Sequence, residues 1–314
     1  MVDEDHLKIC VAVLTYNRPE RLERLLNAMS QLRMPEAKEV RFVVVDNDPD
    51  CSGRAVVEAA NHELPGIDIH YVVENEPGIP AGRNRALDEA LSSGSDLLCF
   101  TDDDAWPHPT WLLHLVECYR KSGATLVFGP QRLRRPPKLN SRWKRLIARS
   151  LEARSRFVER YSEREARKGR IATSGTYNWL GDLHWIGSRG LRFDTAMRFS
   201  GGEDSAFREA VTAKGGVLAW CPDAVIYEEV PEGRLTITYQ FHRAKVQGMN
   251  AAGFERPVYP RILRHPVGRI MVGVGLMVLP VLGFASFSLG LHQLGMGIGV
   301  LKAHRGVRGH LYPR

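Results

Sequence analysis

Residues 8–32, "KICVAVLTYNRPERLERLLNAMSQL", decide the class of fold. Their first half, "KICVAVLTY", is a continuous apolar run of strand length, and from Pro19 onward Leu22, Leu25, Leu26 and Met29 recur at helical spacing. A strand without alternation is buried on both faces, and such strands interleaved with helices predict a parallel sheet covered on both sides. The turn "TYNRPERL" contains no glycine. Neither a Walker-type phosphate loop nor a dinucleotide fingerprint fits it, because both need glycine where backbone approaches phosphate.

The same rhythm continues. "VRFVVVD", "IDIHYVVE" and "SDLLCFTD" read as further strands, with "SGRAVVEAAN" and "GIPAGRNRALDEALSSG" as helices between them. In open α/β sheets ligands bind beyond the carboxyl ends of the strands. Three of those ends are polar: Thr15-Tyr16-Asn17, Asp46-Asn47-Asp48 and Asp102-Asp103-Asp104. Any one of these clusters is explained by a solvated turn; three at one edge point to a site. With no glycine loop, phosphates would need another neutralising group, and a divalent cation on carboxylates supplies one, since Mg²⁺ and Mn²⁺ prefer oxygen ligands. Asp102 and Asp104, two apart in an extended turn before the Trp106-Pro107 turn, can face one cleft.

The chain has 314 residues, 44% of them hydrophobic, enough for a large α/β domain with appendages. Five widely spaced cysteines without a metal-ligand pattern read as reduced, cytosolic thiols. The acidic start "MVDEDHLKIC" predicts no signal peptide. The net charge of +7 is local in origin: residues 131–170 hold 15 Lys or Arg against 4 Glu, so the rest of the chain is net acidic. No nucleic-acid recognition motif accompanies that charge, so no nucleic-acid partner is expected.

Six motifs in order resemble a known family: "VAVLTYNRPERL", "VVVDNDPD", "NEPGIPAGRNRAL", "LCFTDDDAWPHPTWL", "FSGGEDSAFREA" and "YEEVPEGRLTITYQFHRAKVQG". They are similar to the inverting glycosyltransferases of family 2, with a GT-A fold, and most to bacterial enzymes of succinoglycan-type exopolysaccharide synthesis. The resemblance covers roughly residues 8–250. It implies that Thr15, Tyr16 and Asn17 border the nucleotide, that Asp46 or Asn47 bonds the base, and that Arg83 sits near the diphosphate or ribose. Asp102 and Asp104 match the DxD signature, with Asp104 on a Mn²⁺ or Mg²⁺ ion, Asp102 supporting it, and Asp103 a spacer at the nucleotide-sugar site. Of the acid pair, Asp204 is the expected catalytic base and Glu203 its positioning or acceptor-binding neighbour, ahead of a helix beginning near Ser205. Glu229, Pro231 and Arg234 match an ExPxxR pattern. Gln240 and Arg243 match most of the QxxRW element of processive synthases, but Ala244 replaces the tryptophan, which favours addition of a single sugar. Arg234 and Arg243 are expected on the diphosphate of the donor or of a lipid carrier.

Two segments bear on location. In the basic stretch Trp143, Leu146, Ile147, Leu151, Arg154 and Phe157 fall three and four apart, the pattern of an interfacial helix on anionic lipid; a solvated basic helix or lid is the alternative. Residues 270–301 run for 32 positions without a formal charge, between the length of one membrane crossing and that of two. Gly273, Gly275, Pro280 and Gly283 offer breaks. Arg261, Arg264 and Arg269 precede the segment and Lys302, Arg305 and Arg308 follow it, so both ends are expected on the cytoplasmic side. A re-entrant hairpin or in-plane helix pair fits; a single span through Leu291 is the alternative.

These readings together predict a GT-A catalytic domain over 1–255 with a basic helical insert at 131–170, and a membrane-associating segment over 256–314. The expected activity is transfer of a sugar from a nucleotide-sugar, a UDP-sugar, to a polyprenyl-diphosphate-linked or other lipid-linked glycan, at the cytoplasmic face of the inner or plasma membrane. A non-catalytic nucleotide-sugar-binding or scaffold subunit of an assembly complex is the second reading. A nucleotidyltransferase is third, without the glycine- and basic-rich N-terminal signature of that chemistry.

Overall fold

The computed structural model describes residues 7–64, 68–172, 175–198, 201–252, 260–279, 281 and 283–307. Pro280, Arg308 and the expected boundary at 255/256 lie outside them. The elements run β1 (Lys8–Thr15), α1 (Pro19–Met29), β2 (Glu39–Asp46), α2 (Arg54–Glu63), β3 (Ile69–Val73), α3 (Ile79–Ser92), β4 (Leu97–Asp102), β5 (Ala105–Pro107), α4 (Trp111–Ser122), β6 (Leu126–Phe128) and β7 (Gln131–Arg134). They continue with α5 (Arg142–Ala166), β8 (Asn178–Asp182), α6 (Leu183–Ser188), α7 (Glu203–Ala213), β9 (Leu218–Trp220), β10 (Ile226–Glu229), α8 (Ile237–Asn250), α9 (Arg261–Arg264), α10 (Pro266–Val278) and α11 (Phe284–His304). The chain divides into two compact units: residues 1–131, 173–198 and 203–227 form one, and 132–172, 199–202 and 228–314 the other.

The first unit is built on a seven-stranded sheet of order β3-β2-β1-β4-β8-β6-β9. All its junctions are parallel except those β8 makes with β4 and β6. The apolar strands β1, β2 and β4 are buried along most of their length, as their lack of alternation requires. Leu22, Leu25, Leu26 and Met29 of α1 are all buried in the main core, each contributing about 1.5–3 kcal/mol by its removal from water. Register brings the polar strand ends together: Thr15 lies opposite Asp46, and Leu14 opposite Asp102. Sequence reading differs from the structure at the Trp106-Pro107 turn, which is the short strand β5, and at α7, which starts at Glu203 rather than near Ser205.

The second unit is helical. α11 packs along α8, α10 and α5, and its glycines allow that approach. A Cβ on Gly299 would come within 2.1 Å of the Lys245 carbonyl oxygen on α8, and one on Gly290 within 2.7 Å of the Gly273 carbonyl oxygen on α10. α5 enters through a polar clasp: Ser150 Oγ donates to the Phe284 carbonyl at 2.6 Å and accepts the Ser288 amide at 3.1 Å, while Ser288 Oγ donates to the Ser150 carbonyl at 2.9 Å. The apolar stripe of α5 is therefore divided. Ala148 and Leu151 are buried with Leu139, Val230 and Leu235, whereas Trp143 remains exposed at 74%.

Among the described residues one helix, α11, is long and apolar enough to cross a membrane, with 21 residues and a mean hydropathy of 1.3. More than half of its apolar window is buried within the protein. A run of exposed apolar side chains lies instead on α10, where Val267, Met271, Val274 and Val278 follow one another at intervals of four, three and four, and continues through Leu279, Val281 and Phe284.

Candidate active site

The site in the first unit starts from the loop after β1. Tyr16 is exposed there at 61%, and Asn17 adopts a left-handed conformation that asparagine tolerates, with its amide donating to Ser52 Oγ. Thr15 is buried and donates through Oγ1 to Asp103 Oδ2 at 3.1 Å. Arg18 Nη1 donates to Asp103 Oδ1 at 3.0 Å, and Arg21 Nη1, one helical turn later, to Asp104 Oδ2 at 3.1 Å. Burial pushes the Asp103 carboxyl above the usual aspartate range, against the pull of Arg18. Asp103 is thus turned into the protein between Thr15 and Arg18, while Asp102 and Asp104 are only partly covered. Neither Arg18 nor Arg21 was identified from the sequence; the signal was their spacing on the α1 face next to an acidic strand end.

At the second strand end, Asp46 is fully buried. Its Oδ2 accepts the Tyr71 hydroxyl at 2.7 Å and the Gly53 amide at 2.7 Å, and Oδ1 accepts the Asp48 amide at 3.0 Å. Burial, with this bond to Asp46, raises the Tyr71 phenol well above its ordinary pKa. Asn47 grips the next loop: Nδ2 donates to the Glu74 and Glu76 carbonyls, and Oδ1 accepts the Gly78 amide at 2.8 Å. Gly78 caps α3 with φ +116°, and a Cβ there would fall 2.5 Å from the Arg198 Cβ, so no other residue fits without rearrangement. Asp46 and Asn47 therefore shape the rim of the site through the backbone they hold.

α3 carries Arg83, which is buried and donates to Glu203 Oε1 at 2.5 Å; its guanidinium also lies 5.6 Å from the Phe193 ring centre. Glu203 is itself buried, at the first position of α7. One residue on, Asp204 is half-exposed and, among the described residues, accepts only the Ser205 amide, at 2.7 Å. Carboxylates at a helix start are favoured by the unpaired amides there. An aromatic cluster fixes α7 in place: Phe207 stacks on Phe193 with ring centres 4.3 Å apart and lies 6.0 Å from Trp179, which in turn is 5.4 Å from Phe100, two residues before Asp102.

The remaining expected residues belong to the second unit. Glu229 is half-buried on β10. Arg234 pairs with Glu228 at 3.7 Å and lies over the Tyr239 ring, and its carbonyl accepts Gln240 Nε2 at 2.9 Å. Arg243 is half-buried on α8.

Among the described residues no three His, Cys, Asp or Glu side chains converge in the manner of an all-protein metal centre. The donor set suits a metal of a different kind. Two hard, partly covered carboxylates, Asp102 and Asp104, are the ligand type that would hold a Mg²⁺ or Mn²⁺ ion.

A largely parallel sheet with acidic strand ends in register, followed by an acid pair at a helix start, is the GT-A architecture of glycosyltransferases. Solved structures agree. A mannosyltransferase from Pyrobaculum calidifontis, in complex with GDP-Man and Mn²⁺, matches with a TM-score of 0.59 at 18% identity, over 93% of this chain and 87% of that one. S. aureus TarS 1-349 in complex with UDP-GlcNAc matches with a TM-score of 0.50 at 13% identity, over 96% and 92%. The profile of glycosyl transferase family 2 matches residues 10–182, and the succinoglycan biosynthesis protein ExoM of Rhizobium meliloti (strain 1021) is 36% identical over 74% of this chain and 70% of its own length. The glycosyltransferase AglE of Haloferax volcanii is 28% identical over 38% of each chain. The chain belongs to glycosyl transferase family 2.

Proposed function

We propose that this protein is an inverting, metal-dependent glycosyltransferase that moves one sugar from a nucleotide-sugar, a UDP-sugar, to a lipid-linked glycan in cell-surface polysaccharide synthesis. The observation that carries the reading is the division of labour at the start of α7. Glu203 is engaged by Arg83, while Asp204 keeps a half-exposed carboxylate one residue later. In the reaction Asp204 takes the proton of the acceptor hydroxyl as that oxygen attacks the anomeric carbon. The bond to the nucleoside diphosphate breaks on the opposite face, and its electrons leave with the diphosphate. Asp102 and Asp104 would hold the metal ion, which when bound offsets charge on the leaving diphosphate. Thr15, Tyr16, Asn17, Asp46 and Asn47 form the nucleotide rim. Arg83 sets Glu203, which orients the acceptor beside the base. In the second unit Glu229, Arg234, Gln240 and Arg243 serve the acceptor or its diphosphate.

Purified protein screened against nucleotide-sugars should hydrolyse one of them slowly in the presence of Mn²⁺ or Mg²⁺. Asp104→Ala should lower that turnover by about a hundredfold or more, the several kcal/mol a catalytic metal supplies. Full activity of Asp104→Ala in the presence of a chelator would remove the metal from the mechanism. No hydrolysis of any donor by the wild type would favour a non-catalytic binding subunit.

The membrane contact is assigned to α10 and the turn beyond it, forming a re-entrant hairpin with α11 on the cytoplasmic side. At 13 residues α10 is about 20 Å long, too short for a hydrocarbon core of about 30 Å. The glycine face of α11 is occupied by α8 and α10. The double substitution Val274→Asp/Val278→Asp should weaken binding to anionic phosphatidylglycerol vesicles by roughly tenfold or more, as expected for the loss of two inserted side chains. Undiminished sedimentation with vesicles would transfer the anchoring role to Trp143 and the basic face of α5.

A further inference from the structure

Arg21 stands in the first turn of α1, three residues after Arg18, and both arginines reach the acidic end of β4. Neither suits the helix itself. The start of α1 is the positive end of its dipole, where acids are favoured over cations, and Arg18 at the cap position makes no side-chain capping bond. The two pairings differ. Asp103 is held on both oxygens, by Thr15 and by Arg18. Arg21 meets Asp104 through one nitrogen, Nη1 to Oδ2 at 3.1 Å, and among the described residues its guanidinium donates to nothing else. Its side chain is 26% exposed, so the other N–H groups of its five are open to solvent or to a ligand. Arg83, the cation that the family pattern places at the diphosphate, is committed to the buried Glu203, and the turn after β1 has no glycine loop. A phosphate at this strand end therefore needs another cation, and Arg21 has donors to spare.

We infer that Arg21 is an exchangeable counter-ion: it neutralises Asp104 in the ligand-free protein, and passes to a phosphate of the nucleotide once Asp104 holds a divalent cation. This rests on the metal reading of Asp104 above and adds to it a residue, Arg21, and a consequence for binding. A divalent cation on Asp104 alone would stand beside the Arg21 guanidinium, and the two positive charges repel. A diphosphate relieves that repulsion, because a guanidinium offers parallel N–H donors to phosphate oxygens. Metal and nucleotide should therefore bind tightly only together, each raising the affinity of the other by the same factor. Arg21 sets the size of that factor.

Two titrations of the full-length protein test this: Mn²⁺ alone, followed by electron paramagnetic resonance of the free ion, and UDP, with GDP in parallel, followed by calorimetry in Mn²⁺ and in EDTA. The wild type should bind one of these nucleotides roughly tenfold or more tightly in Mn²⁺ than in EDTA. Arg21→Gln should bind Mn²⁺ alone roughly fivefold or more tightly than the wild type, and the nucleotide in Mn²⁺ more weakly by a similar factor. Arg21→Lys keeps the charge and should keep the wild-type Mn²⁺ affinity, which separates the exchange from any loss of fold. Arg24→Gln removes the same charge from an exposed position of α1 and should leave both titrations unchanged. A merely structural pair predicts the opposite sign, since Asp104 loosened by the loss of Arg21 would bind Mn²⁺ less well. Mn²⁺ affinity unchanged or lowered in Arg21→Gln, or a nucleotide effect that ignores Arg21, would overturn the exchange and leave the metal on Asp104. A wild type whose nucleotide binding is the same in Mn²⁺ and in EDTA would remove the metal reading and the exchange with it.

Discussion

Asp204→Asn should bind the nucleotide-sugar with wild-type affinity and transfer sugar more slowly by a factor of about 10² to 10⁴, the usual contribution of a positioned general base. Asparagine keeps the size of the side chain, and its carbonyl can still accept the Ser205 amide that now bonds Asp204 Oδ1, so the start of α7 is preserved. Only the capacity to remove a proton is lost. Calorimetric titration of the donor together with a single-turnover transfer assay would separate the two effects. Undiminished transfer would place the base elsewhere, and weakened donor binding would show that Asp204 belongs to the nucleotide site.

The second large effect is on stability. Arg83 and Glu203 are both buried, their side chains exposed by 9% and 7%, and each is the other's charged partner across 120 residues of chain. Arg83→Met would leave the Glu203 carboxylate covered and uncompensated, at a cost of about 3–5 kcal/mol. For a unit of this size that corresponds to a fall in melting temperature of roughly 10 °C. Replacing both, as Arg83→Met/Glu203→Leu, should restore most of the loss, because a well-packed apolar pair avoids the desolvation that the ion pair must offset. Thermal melts of the two single variants and the double variant form a cycle that measures the coupling. A double variant as unstable as Arg83→Met would mean that the arginine is held by something other than the charge opposite it. Activity should not return in the double variant, since Glu203 would no longer sit beside the base.

Local pattern carried the parallel half of the sheet. β1, β4 and the second half of β2 declare themselves through unbroken apolar runs, β3 through its apolar, β-branched content, and parallel pairing then aligns the polar ends of β1, β2 and β4 without further information. β8 is different. "NWLGD" is five residues long, includes a glycine, and becomes a central strand only through antiparallel pairing with β4 and β6, contacts that span about 50 to 80 residues of chain. The acidic triplet was legible as a site, but the distribution of its members was not, because the side chains that sort them, Thr15, Arg18 and Arg21, come from another strand end and another helix. Arg83 and Glu203 were both singled out, but neither has a near neighbour in sequence that would reveal their pairing. In α5 the three-and-four spacing gave the helix but not its partners. A stripe that lies partly on a protein core and partly on the surface looks the same in sequence as one that faces a single medium.

Ser150 bridges two backbone groups of the first turn of α11. Phe284 and Ser288 stand four apart, the separation of a helical carbonyl and amide, and the Ser150 hydroxyl bonds to both. The first turn of α11 is therefore clamped by a residue from the middle of α5, far back in the sequence. During synthesis the basic helix would emerge long before the apolar one and wait for it, and the two would gain protection from hydrogen exchange together, as a single cooperative block. Docking of α11 and of the basic helix α5 would then be one folding event, so a protein released early from synthesis would lack both at once.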